Sequence, residues 1–237
     1  MLNKALSLLY PTTCALCGKP SERGDFLCRR CKKDFEFLSC DSLCRTCLSP
    51  LFSDVLVCGR CLVRKPRYER LITCGYYTGK LKNSIHRCKF GNRPDLCVSY
   101  GLMLYRRLET LGVSGFDAVV PIPMDSDNLS ERGYNQSELI AKALADNLKI
   151  PCYKDAILKR KKLRRQSELK THLREENIRG AFELKDKESL RGKNILLVDD
   201  VVTTGATIRE AAYVLSSVCR RITVCSVAKT YDILAIN

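Results

Sequence analysis

The chain has 237 residues, 45% of them hydrophobic, enough for one sizeable core plus a small module. Its 41 Lys and Arg against 26 Asp and Glu leave a formal net charge of +15, which favours polyanions: nucleic acid, an anionic surface or phosphorylated ligands. No run of about 18 apolar residues occurs, so membrane insertion is not expected, and with no tryptophan and sparse aromatics no base-stacking platform is evident.

The stretch Met1–Tyr10 has Leu2, Leu6, Leu8 and Leu9 as apolar anchors, and a proline follows. It is too short for a secretory signal. It reads as a short helix packed on the body, with a cytoplasmic location as the expectation.

Fifteen cysteines come next in importance, and eight of them are ordered. Cys14-x-x-Cys17 precedes Cys28-x-x-Cys31, and Cys44-x-x-Cys47 precedes Cys58-x-x-Cys61, the second set repeating the first at a period of 30. A C-x-x-C knuckle lets two thiolates converge on one ion, so two knuckles make a four-thiolate site. The spacing predicts two structural zinc sites; iron held by four thiolates is the lesser alternative. Sequential pairing gives Cys14, Cys17, Cys28, Cys31 and Cys44, Cys47, Cys58, Cys61; cross-bracing would exchange the knuckles. Cys40 could serve as a spare ligand. Cys74, Cys88, Cys97, Cys152, Cys219 and Cys225 read as small buried hydrophobes. Four cysteines leave no open position for catalysis, which makes the ribbons structural or a docking surface.

Residues 1–63 therefore form a double zinc ribbon, 64–70 a basic linker with a proline, and 71–237 a larger domain. In that domain, strands are expected at Leu71–Tyr77, Asp117–Pro121, Tyr153–Leu158, Ile195–Val198 and Arg221–Ala228. Helices are expected around Leu81 to Cys88, at Leu96–Leu111, Tyr134–Leu148 and Ile208–Val218. Strands alternating with helices imply an α/β fold with a doubly wound parallel sheet. His86 reads as a packing residue and His172 as an exposed loop residue.

The stretch Ile195-Leu-Leu-Val-Asp-Asp-Val-Val-Thr-Thr-Gly-Ala-Thr207 carries the chemistry. An apolar strand delivers Asp199 and Asp200 to the start of a hydroxyl-rich turn, Thr203, Thr204, Gly205, Ala206 and Thr207, which opens a helix. A helix N-terminus with free N–H groups is a phosphate site, and adjacent carboxylates suit sugar hydroxyls or a magnesium-bound ligand. Incidental acids on a structural strand are the bland alternative. No G-x-x-x-x-G-K-[ST] and no strand-linked G-x-G-x-x-G occurs, so P-loop and Rossmann readings fall away. A receiver domain would need a phospho-acceptor aspartate two strands further on.

Asp199 to Thr207 resembles the 5-phosphoribosyl 1-pyrophosphate (PRPP) motif of type I phosphoribosyltransferases. Further pieces resemble the ComF family, in which zinc ribbons precede a phosphoribosyltransferase-like domain. They are Tyr76-Tyr-Thr-Gly79 with Lys80, Ile85, Lys89-Phe90 and Gly91; a Pro-Ile-Pro start at Pro121; Arg132-Gly-Tyr-Asn-Gln136; and Gln166, Leu169, Arg174, Asn177 and Gly180-Ala-Phe182. The chain departs from the family at Glu168 and in the loop after Pro121, which is usually basic but here carries Asp125, Asp127 and Glu131, leaving Arg132 as its remaining cation.

The resemblance implies that magnesium-bound PRPP is the ligand. Asp199 and Asp200 would hold its ribose hydroxyls, Thr203 to Thr207 its 5′-phosphate, and Arg132 its pyrophosphate. The run Lys159, Arg160, Lys161, Lys162, Arg164, Arg165 places six cations in seven residues. It reads as a solvated loop, as a mobile loop folding over the diphosphate, or as a nucleic-acid contact. The resemblance further implies a competence role with single-stranded DNA, a DNA-uptake helicase or recombination proteins as partners. A non-catalytic PRPP sensor or DNA-binding module on the same scaffold is the alternative.

Overall fold

Ile195, Leu196, Leu197 and Val198 are all fully buried, and a strand apolar on both faces has to lie inside a sheet covered on both sides. The computed structural model describes residues 13–22, 25–51, 54–160 and 178–231, so the helix expected over Met1–Tyr10 lies outside the described residues. In chain order the elements are α1 (Arg29–Lys33), α2 (Gly59–Arg64), β1 (Arg70–Tyr76), α3 (Gly79–Phe90), α4 (Asp95–Thr110), β2 (Ala118–Pro121), α5 (Ser126–Arg132), α6 (Gln136–Leu148), β3 (Ile157–Lys159), β4 (Phe182–Leu184), β5 (Asn194–Val202), α7 (Ala206–Leu215) and β6 (Arg221–Lys229). The main sheet has four strands in the order β1-β6-β5-β2, all parallel. Among the described residues, no helix is long and apolar enough to cross a membrane.

Alternation along the strands divides the interior into two cores. On one face Ile72, Val119, Leu196, Val198 and Cys225 pack with Ile85 of α3, Leu104 of α4 and Leu144 of α6. On the other, Leu71, Val120, Ile195, Leu197 and Val224 pack with Ile208, Ala212 and Leu215 of α7. Helices on both faces of a parallel sheet make the doubly wound architecture that the alternating elements implied.

The strand expected at Tyr153–Leu158 is different in kind. Cys152 makes a single parallel bridge to Val119, and the chain then leaves the sheet. Ile157–Lys159 pairs antiparallel with Phe182–Leu184 in a separate ribbon beneath α7. Three apolar or basic residues do not reveal which sheet they join, because register and partner are set from outside the segment.

The ribbons are not appendages. The sulfurs of Cys14, Cys17, Cys28 and Cys31 lie within 4.8 Å of one another, as do those of Cys44, Cys47, Cys58 and Cys61, which selects sequential pairing. The Cys17–Cys28 and Cys47–Cys58 sulfurs are 3.7 and 3.6 Å apart. Tetrahedral zinc with Zn–S bonds of about 2.3 Å needs sulfurs roughly 3.8 Å apart, so both sets fit the ion. Cys40 joins neither set; its sulfur accepts from the buried Arg107, which also donates to the carbonyls of Thr73 and Leu38. Cys14, Ala15, Leu16 and Leu27 belong to the same core as α3 and α4. Leu48 and Tyr68 join the opposite core. Among the unassigned cysteines, Cys74, Cys88, Cys97 and Cys225 are buried, whereas Cys152 and Cys219 are only half-buried.

Two predictions follow from this packing. A Cβ at Gly101 would come within 2.5 Å of Ala143 Cβ and 2.9 Å of two backbone atoms of α6. Alanine normally improves a helix by about 1 kcal/mol; here overpacking reverses the sign, and Gly101→Ala is expected to destabilise by about 1–3 kcal/mol in urea unfolding. Removing zinc with a chelator should lower the melting temperature of the whole protein, followed by far-ultraviolet circular dichroism of the α/β body, because the first ribbon contributes to its core. An unchanged body transition would contradict this coupling.

Candidate functional site

The central strand outruns its neighbour on one side. β2 ends at Pro121, opposite Val198, whereas β6 accompanies β5 to Lys229, opposite Val202. The acids were expected just beyond a strand ending at Val198. The strand instead continues through them, because β6 still offers Ser226 opposite Asp199 and Ala228 opposite Val201. Asp199 and Asp200 thereby lie where β5 has lost one neighbour, at the carboxyl ends of parallel strands, the end where ligands of such sheets bind.

Each acid is held by a helix from the same face. Asp199 Oδ1 accepts from Ser137 Oγ at 2.9 Å and from the Asp200 N–H at 2.9 Å. Ser137 is in the first turn of α6, which Asn135 caps by accepting from the Ser137 N–H. Lys89, near the end of α3, places Nζ 2.8 Å from Asp200 Oδ2. Asp200 is buried; Asp199 keeps a solvent-facing edge. Desolvation first and the Asp200 charge second push the Asp199 carboxyl up to about 7, with Lys89 and Ser137 opposing them. Burial works against the charge of Lys89, but the carboxylates outweigh it and hold its pKa above the usual lysine value.

The turn after β5 has the form expected of an anion cradle. Gly205 adopts φ +74°, a left-handed conformation that glycine takes without strain, and directly precedes Ala206 at the start of α7. Ala206 N donates to Thr204 Oγ1 at a long 3.4 Å. Arg209 Nη1 donates to Thr204 O at 2.9 Å, and the buried Lys229 donates to the carbonyls of Thr203 and Thr230. Thr203 is exposed, and Thr204, Gly205 and Thr207 are half-buried. Two fixed cations thus lie against a turn that already has helix N–H groups to offer.

Arg132 closes α5, a short helix the sequence did not announce, with Asp125 capping its start by accepting from Asn128 N at 3.0 Å. Burial opposes the Asp125 charge, but Asn128 and Lys159 outweigh it and hold the carboxyl below its usual range. Arg132 Nη1 donates to Gln136 Oε1 at 2.7 Å, next to Ser137. Lys159 sits 3.2 Å from Asp125 Oδ2, and Arg160 pairs with Glu183. Lys161, Lys162, Arg164 and Arg165 lie outside the described residues, as do Glu168 and His172.

The structure therefore brings Asp199, Asp200 and the Thr203–Thr207 turn together and links Arg132 to them through Gln136 and Ser137. Lys89, Ser137, Arg209 and Lys229 complete the site and were not singled out for it in the sequence. Lys229 had a signal, a cation directly after the apolar pair Val227 and Ala228 at a strand end; Ser137 had none. His86 is exposed rather than packed inside. Leu81, Ser84, Ile85 and Cys88 take the inner face of α3, leaving His86 outside.

An acid whose folded pKa lies above its unfolded one costs stability increasingly as pH rises from the unfolded value through the folded value. Asp199→Asn keeps an oxygen for Ser137 and Asp200 N and removes that cost. Its stability advantage in urea unfolding should grow by about 1–2 kcal/mol from pH 5 to pH 8 and then level off. A pH-independent difference would contradict the raised Asp199 pKa.

A double zinc ribbon domain family matches residues 5–62, and a phosphoribosyl transferase domain family matches residues 135–230. The chain is 31% identical over 213 residues to the DNA utilization protein YhgH of Escherichia coli (strain K12), covering 88% of this chain and 92% of that one. It is 30% identical over 196 residues to the competence protein F of Haemophilus influenzae, covering 80% and 83%. Among solved structures, the glutamine PRPP amidotransferase from B. subtilis matches 60% of this chain and 30% of its own, at 19% identity and a TM-score of 0.41.

Proposed function

The chain belongs to the ComF family, and on that premise we propose that it binds magnesium PRPP and transfers the phosphoribosyl group in the handling of single-stranded DNA. The observation that carries this reading is the acid pair, Asp199 and Asp200, beside the Gly205 turn at one end of the parallel sheet. The arrangement suits a ribose 5-phosphate: N–H groups and hydroxyls can donate to the phosphate, and two carboxylates can accept from the sugar hydroxyls.

Each group then has a task. Thr203, Thr204, Gly205, Ala206 and Thr207 cradle the 5′-phosphate, with Arg209 and Lys229 adding positive potential behind the turn. Asp199 and Asp200 accept hydrogen bonds from the ribose 2′- and 3′-hydroxyls. Magnesium bound to the substrate would supply charge neutralisation at its diphosphate. As the bond from ribose C1 to the pyrophosphate oxygen breaks, both electrons leave with pyrophosphate and positive charge gathers on the ring. The carboxylates stabilise that charge, and the acceptor nucleophile forms the new bond to C1. Arg132, with the basic run from Lys159 to Arg165, stabilises the leaving pyrophosphate. Ser137 and Lys89 orient the acids without touching the sugar.

The DNA part of the reading draws on the net charge of +15 and on the relatives' names. On this reading the protein works in the cytoplasm on strands delivered by natural transformation, beside a DNA-uptake helicase or recombination proteins.

Calorimetry tests the ligand. Wild-type protein should bind PRPP with magnesium and much more weakly without it. Asp199→Asn/Asp200→Asn should weaken binding at least tenfold, as loss of charged hydrogen bonds of about 1.5–3 kcal/mol implies. Release of pyrophosphate on adding single-stranded DNA would then identify the acceptor. Folded, zinc-loaded wild-type protein that binds no PRPP would end the phosphoribosyl reading.

A further inference from the structure

Phe90 is 67% exposed at the end of α3, directly after the lysine that holds Asp200. A single exposed phenyl ring is ordinary. This one is supported on two sides. The His86 ring centroid is 4.8 Å from it, and the Arg132 guanidinium lies over the ring at 5.3 Å from the centroid. Arg132 is itself fixed by Gln136, whose neighbour Ser137 binds Asp199. Tyr134 OH donates to the Cys88 carbonyl, tying the end of α3 to the segment that carries Arg132.

The phenyl, imidazole and guanidinium groups thus form one composite surface, joined to the acid pair by two routes. One runs through Lys89 to Asp200, the other through Gln136 and Ser137 to Asp199. An exposed π-face flanked by a guanidinium has the chemistry that holds a nucleobase, because bases stack on aromatic and guanidinium planes with little regard to sequence. The chain's net charge of +15 suits the phosphates of a strand.

We infer that Phe90, with His86 and Arg132, is a stacking platform for a base of a single nucleic-acid strand, set at the mouth of the ribose phosphate site. Its place beside the reaction rests on the phosphoribosyl reading; the stacking itself does not. The platform brings a nucleotide next to the sugar carbon on which the proposed transfer acts.

Fluorescence anisotropy on the full, zinc-loaded chain tests this with a labelled thymidine 12-mer and an abasic 12-mer of equal charge. Wild type should bind the base-bearing strand at least fivefold more tightly, and Phe90→Ala should weaken it about tenfold and abolish the preference, while Phe90→Trp retains it. Equal binding of the two strands by wild type, or a preference that survives Phe90→Ala, would overturn the platform. Free thymidine at millimolar concentration displacing the strand completely would reassign the surface to monomeric bases and overturn its role for strands. Magnesium PRPP calorimetry on the same samples separates the two readings. Absent PRPP binding with an intact base preference removes the phosphoribosyl function and leaves the platform, whereas intact PRPP binding without base preference removes the platform alone.

Discussion

Two carboxylates largely withdrawn from water cannot both stay ionised beside each other unless positive charge is brought to them. Asp199 and Asp200 impose that condition, and much of the surrounding structure answers it. Lys89 reaches in from α3 to Asp200, and Ser137 donates to Asp199 from the start of α6. The residual frustration is seen in Asp199, whose carboxyl stays near neutral titration instead of fully acidic. Such a site favours positive charge brought to the carboxylates. Strain of this kind is kept at functional sites because the rest of the fold holds it in place.

What holds it is the central strand. β5 has partners on both sides as far as Val198 and on one side only from there to Val202. Pairing with β6 fixes the acids' backbone, and the missing neighbour leaves that side of the strand end without a partner strand. The same strand then feeds directly into the Gly205 turn, so the acid pair and the hydroxyl-rich turn cannot drift relative to each other. This explains why the chemistry is concentrated in so few consecutive residues.

That concentration is also why the site could be read from sequence. Local chemistry, such as the acid pair, the Thr-Thr-Gly-Ala-Thr turn and the cysteine knuckles, is written in contiguous residues, and the elements carrying it were legible. Groups supplied from elsewhere were not. Ser137 becomes a partner of Asp199 only because α6 packs over β5, and Lys89 meets Asp200 only because α3 ends beside the acid pair. Ile157–Lys159 failed for the same reason: its strand character was evident, its partner was not. The exposed position of His86 was within reach, since the spacing of Leu81, Ser84, Ile85 and Cys88 already defines the buried face of α3.

The helix α3 connects the first four-cysteine set to the acid pair. Ser84 donates to the Ala15 carbonyl, and Arg87 donates to the carbonyls of Leu16 and Cys17, inside the first knuckle. These carbonyls are positioned by the turn that presents Cys14 and Cys17 to the metal. Lys89 and Phe90 follow on the last turn of the same helix. A rigid helix transmits placement at ångström precision over so short a distance, so the ribbon acts as a foundation for the lysine that holds Asp200. A module whose four-cysteine sets leave no open metal position is thereby tied to the helix that carries Lys89. Its incorporation into the core, through Cys14, Ala15 and Leu16, is the physical form of that dependence.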